Sequence, residues 1–93
     1  MVFVVERYLT GLTRPAIARA LERLEVATRE LQADGIAIRY LGSTIVAQDE
    51  ACFCQFEAPS AETVEAVNRR ARFAFDRIVA AVAVAPAGRE EER

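Results

Sequence analysis

Two cysteines separated by a single residue, Cys52-Phe53-Cys54, form the most distinctive chemical pair in the chain. On an extended strand this spacing puts both thiols on one face with Cα atoms about 6.5–7 Å apart, too stretched for an ordinary disulfide. Such a pair suits a soft metal, although two ligands do not complete a tetrahedral site. Free cysteine usually serves as plain core, so reduced and buried thiols are the expected state. Glu6, Tyr8 and Arg39 add a carboxylate, a phenol and a guanidinium. Glu6 with Arg39 reads as a ligand-orienting pair or as an ion pair on a sheet surface. Histidine is missing altogether, which removes the commonest general base and the commonest transition-metal ligand together. There is no glycine-rich phosphate loop, nucleophile elbow or paired-cysteine zinc pattern.

Six elements must position these groups. Val2 to Tyr8 is rich in β-branched and aromatic residues and reads as a strand closed off by Gly11. A helix starts after Thr13, whose hydroxyl suits a cap, with Pro15 where a missing amide proton costs nothing. Ile17, Leu21, Leu24, Thr28 and Leu31 recur at helical spacing up to Asp34-Gly35. Ile36 to Ser43 and Ala51 to Glu57 read as a hairpin joined by the polar stretch from Ala47 to Glu50. Ser60 caps a second helix with Val64, Val67 and Ala71 on its apolar stripe. Ile78 to Val84 is a continuous apolar run, expected to be a strand buried on both faces.

The order βαββαβ predicts a ferredoxin-like α+β fold, a four-stranded antiparallel sheet with two helices on one face. The domain is expected over residues 1–85 and a flexible C-terminal tail over 86–93. Strand alternation sets Phe3, Val5 and Arg7 against Val4, Glu6 and Tyr8, and sets Cys52, Cys54 and Phe56 against Phe53, Gln55 and Glu57. The thiol face is expected to meet the helices. The other would carry Glu6, Tyr8, Arg39, Phe53 and Gln55, a half-apolar surface suited to a partner subunit or a ligand.

In 93 residues a domain buries only about 60–65 % of the surface of its unfolded chain, so a homodimer is expected to cover that second face. A net charge of −2 gives no electrostatic footprint for nucleic acid or for an anionic membrane. No apolar run approaches the roughly 20 residues of a membrane span, and Met1 to Val5 reads as a strand, not a signal peptide. These features point to the cytoplasm and to reduced thiols.

The segments Val5 to Gly11, Arg39 to Ser43, Asp49 to Pro59, Asn68 to Ala71 and Phe75 to Val79 resemble the small-domain family designated DUF4242. The resemblance spans nearly the whole chain up to the tail, and Cys-Phe-Cys is its most specific part. It implies ferredoxin-like dimers and, in some branches, bound nickel. Those branches carry histidines at positions matching Tyr8, Asn68 and Arg72, so the resemblance adds Asn68 to the candidate ligand-binding set of Glu6, Tyr8, Arg39 and Cys54. With no imidazole here, no resident cofactor is expected, and nickel enters through the resemblance alone. The expected function is a small dimeric ligand-binding protein. The alternative is a cofactor-free dimeric α+β-barrel enzyme, an oxygenase, isomerase or cyclase acting on a small hydrophobic metabolite.

Overall fold

The computed structural model describes residues 1–87, so most of the expected tail lies outside the described residues. The elements run β1 (Val2–Tyr8), α1 (Arg14–Ala33), β2 (Arg39–Val46), a 3-10 turn (Ala47–Asp49), β3 (Ala51–Glu57), α2 (Ala61–Arg70) and β4 (Arg77–Ala81). The sheet is antiparallel in the order β2-β3-β1-β4, the ferredoxin-like arrangement expected from the element order.

Local chemistry sets the helix ends. Thr13 Oγ1 accepts from the Ala16 amide at 3.2 Å, and Ser60 Oγ accepts from the Thr63 amide at 3.3 Å. Gly35 closes α1 with φ at 85°, which lets the amides of Gly35 and Ile36 reach back to Gln32 O and Leu31 O. One face of the sheet and the inward stripes of both helices then form the core, with Phe3, Val5, Leu24, Phe56, Val64 and Val67 at its centre. This is the face on which the cysteines were expected, and both are fully buried there.

Two strands differ from expectation. Residues 36–38 do not join the sheet, because they complete the end of α1: Gln32 Nε2 donates to Ile38 O at 2.7 Å, and Ile38 N donates to Ile36 O. The second strand therefore runs from Arg39 to Val46 and not from Ile36 to Ser43. The fourth strand is not buried on both faces and stops at Ala81. It is an edge strand, and Ala81 pairs with Val2, the first residue of β1, where the ladder ends among the described residues. Val82 and Val84 are 87 % and 84 % exposed.

Candidate functional site

A seam of polar side chains crosses the helix-covered face, and its anchor is Arg7. The alternation of β1 sends this residue to the same side as Phe3 and Val5, opposite Cys52 in the β1–β3 register, and only 1 % of it is exposed. Nη1 donates to Phe73 O at 3.0 Å and Ala74 O at 3.4 Å, and Nη2 donates to Asn68 Oδ1. The guanidinium carbon lies 3.8 Å from the Phe73 ring centroid. Nε has no hydrogen-bond partner. Arg72 makes the geometry available, since its φ of 54° turns the chain after α2 and brings the Phe73 and Ala74 carbonyls over the sheet. Asn68 spends its other end on Val64 O, donating from Nδ2 at 2.8 Å.

A bulge supplies the rest of the seam. Between Tyr40 and Gly42 the β2–β3 register slips, and Gly42 has φ of 125°, a value side chains rarely tolerate. The extra residue reverses strand parity, so Tyr40 and Ser43 point to the same covered face although three positions separate them. Tyr40 and Ser43 share a hydroxyl hydrogen bond, and Ser43 Oγ donates to Cys54 Sγ at 2.8 Å. The two sulfurs lie 3.7 Å apart.

The pair does not titrate as two free thiols. A hydrogen bond from Cys52, helped by Ser43 and the Arg7 charge, holds Cys54 below the usual thiol range against the opposing effect of burial. The same thiol–thiol bond and burial push Cys52 up. Cys54 is therefore the anion nearest in character to what a buried guanidinium requires, because Arg7 forms no carboxylate ion pair among the described residues. Both cysteines are free. Intact mass after denaturation and alkylation without reductant should show two modified thiols; one disulfide and no modification would contradict this state.

Residues 3–80 match the family described as nickel responsive protein, SCO4226-like. The chain belongs to this family. The SCO4226-like assignment agrees with the fold, since the crystal structure of SCO4226 from Streptomyces coelicolor A3(2) superposes with a TM-score of 0.74. That likeness covers 91 % of this chain and 100 % of the other at 20 % identity. A search of curated proteins finds no match.

Within this SCO4226-like domain the expected residues fall into three groups. Asn68 and Cys54 lie on the covered face and border Arg7, which the sequence reading left out of the candidate set, and Cys52 and Ser43 complete their surroundings. Glu6 and Tyr8 share the open face of β1. Glu6 pairs with Arg77 at 2.7 Å and not with Arg39, while Tyr8 is 62 % exposed. Arg39 pairs with Glu57 at 3.0 Å. The register explains the separation: Arg39 lies opposite Glu57 and Glu57 opposite Val2. Four residues of β1, about 13 Å, therefore separate Arg39 from the level of Glu6.

Asn68 also lines a recess of about 520 Å³ with Arg69, Arg72, Phe73, Ala74 and Phe75. Among the described residues no group of three or more His, Cys, Asp or Glu side chains is placed to hold a metal ion. A charge on the apolar parity of β1 and a glycine inside β2 were the two sequence signals for the Arg7 seam.

Proposed function

We propose that this chain is a small homodimeric binding protein of the nickel-responsive family, the same small domain that the DUF4242 resemblance describes, in which the family's nickel role is weakened. One observation carries the reading. Asn68 stands where the resemblance implies an imidazole ligand, and both ends of its amide are committed, Oδ1 to Arg7 and Nδ2 to Val64 O. A fixed positive charge adjoins the one oxygen that would face a cation. The other two matching positions hold the exposed phenol of Tyr8 and the cationic side chain of Arg72. This donor set does not fit Ni(II), which favours neutral imidazole over amide or phenol oxygen. Calorimetry with nickel chloride at neutral pH should give no tight, stoichiometric heat; one strongly bound ion per chain would overturn the reading.

The homodimer rests on the open face of the sheet. Val4 pairs with Val79 across β1 and β4, and Phe53 lies diagonally next to Val4, opposite Glu6; all three are half-buried in the single chain, with the ion pair Glu6–Arg77 on one side and Arg39–Glu57 on the other. An apolar centre with a charged rim is the usual anatomy of a subunit contact. Sedimentation at roughly tens of micromolar should report a dimer of standard interface size, and a monomer there would remove this part of the proposal. Reduced thiols are in keeping with work in the cytoplasm.

A further inference from the structure

We propose that Cys52 and Cys54 form a site for one soft monovalent cation, Cu(I) or Ag(I), whose charge is matched to this core by the guanidinium of Arg7. The inference goes beyond the weakened nickel role and uses different donors.

The sulfur spacing comes first. Two bonds of about 2.3 Å to thiolate sulfur, the length seen for zinc, subtend an angle of about 107° across this gap, so the observed 3.7 Å is already a chelating distance. A linear ion would need the sulfurs about 4.6 Å apart, twice that bond length, so this gap fits a bent site with a third donor. Ser43 Oγ, 2.8 Å from Cys54, stands next to the pair as a weak third donor. Thiolates select soft ions over hard ones.

Charge then chooses among the soft ions. Two thiolates and a monovalent ion sum to −1, which one buried guanidinium cancels. Zn(II) or Ni(II) in the same place leaves +1 in a core from which Cys52, Cys54 and Arg7 expose essentially nothing to water, an unfavourable state in low dielectric. The guanidinium of Arg7 adjoins the thiols, and its Nε, buried and without a hydrogen-bond partner among the described residues, is a donor for which a thiolate sulfur is the suitable acceptor. On binding, each S–H bond still intact breaks, its proton passes to water and a sulfur–metal bond replaces it. No electron is transferred. On the β2 side the half-buried Ser43 and Tyr40 hydroxyls adjoin Cys54.

The test is titration of the full-length reduced chain with Ag(I) in chloride-free buffer, and with Cu(I) against a chromophoric chelator, each compared with Zn(II). One tightly bound monovalent ion per chain is expected, with two sulfur neighbours by X-ray absorption and Zn(II) bound at least about 100-fold more weakly. Cys52→Ser and Cys54→Ser, nearly isosteric, should each lose tight binding while keeping the native circular dichroism. Arg7→Lys should retain monovalent selectivity, whereas Arg7→Met should weaken Ag(I) by about 10–100-fold, as expected for a group that supports the ligands. Two ions per chain, Zn(II) held as tightly as Ag(I), or a Cys52→Ser variant with unchanged affinity would overturn the proposal. Wild-type stoichiometry and selectivity decide the matter even where Arg7→Met does not fold. Absence of nickel binding leaves the proposal intact, and failure to bind Ag(I) leaves the nickel reading intact.

Discussion

Replacing Arg7 by Met should cost about 3–5 kcal/mol, the loss expected when one member of a buried charged network is removed and the others stay. The side chain now satisfies Asn68 Oδ1, Phe73 O and Ala74 O, and it supplies the cation beside Cys54. Methionine fills most of the volume but donates nothing, so those acceptors lose their donor inside the core. Each buried group left without a partner costs roughly 1–3 kcal/mol. Against this stands the desolvation of the guanidinium, which the variant avoids and which keeps the net loss below the sum of the parts. A domain of this length has a total stability of about 5–14 kcal/mol, so the variant should be marginal. Urea unfolding measures the difference. The chain from Phe73 to Asp76 should also become more accessible to protease, because Arg7 ties the Phe73 and Ala74 carbonyls to the sheet, whereas Arg23 of α1 holds those of Ala71 and Arg72. Adding Asn68→Leu and Cys54→Ser to Arg7→Met removes two of the stranded partners and should restore part of the loss. A change under about 1 kcal/mol in the single variant would show that the seam does not hold the α2–β4 connection.

Stability should rise with pH through the neutral range and fall again in alkali, with the thiol pair as the cause of both slopes. Cys54 has its folded pKa below its unfolded value. Between those two values the unfolded chain carries the extra proton, so the contribution of Cys54 is complete above the unfolded value, about 8.5 for a free thiol, and is lost as pH falls through the folded one. Cys52 runs the other way. Its folded pKa is raised, so its contribution is complete below the unfolded value and declines as pH climbs past it. The groups facing the pair are Arg7 from β1 and Ser43 and Tyr40 from β2, with Glu25 of α1 acting on the Tyr40 phenol. Burial holds that phenol above its ordinary range, so it stays neutral throughout the rise. Urea midpoints at about pH 6, 7.5 and 9 should increase in order for the wild type, and Cys54→Ser should flatten the increase. A wild-type slope unchanged in Cys54→Ser would show that Cys54 is not its cause.

The strands and helices were legible because the signals that specify them are local. Alternation in Val2–Tyr8 and Ala51–Glu57 fixed not only those strands but also which faces carry the cysteines and Glu6. Thr13, Pro15, Gly35 and Ser60 marked helix ends through hydrogen bonds that span only a few residues. Local order also named the fold, since βαββαβ with these spacings leads to one sheet order. What the sequence did not decide depends on register between segments far apart in the chain. Arg39 and Glu6 share a sheet face, and only the pairing of β2 with β3 and of β3 with β1 places them at different levels. The bulge at Gly42 reversed the parity of half a strand and delivered Ser43 to Cys54, a step no alternation count contains. Ile78 to Val84 has the composition of a buried strand, but its ladder with β1 runs only to the Val2–Ala81 pair, and Val82 to Val84 form no strand. Arg7 shows the division most plainly. Its face was fixed by parity, whereas its partners arrive from 61 to 67 residues away, on a helix and a turn whose positions only the packed tertiary structure sets. A charge enters a core when distant groups converge to satisfy it, and that convergence is a property of the folded chain.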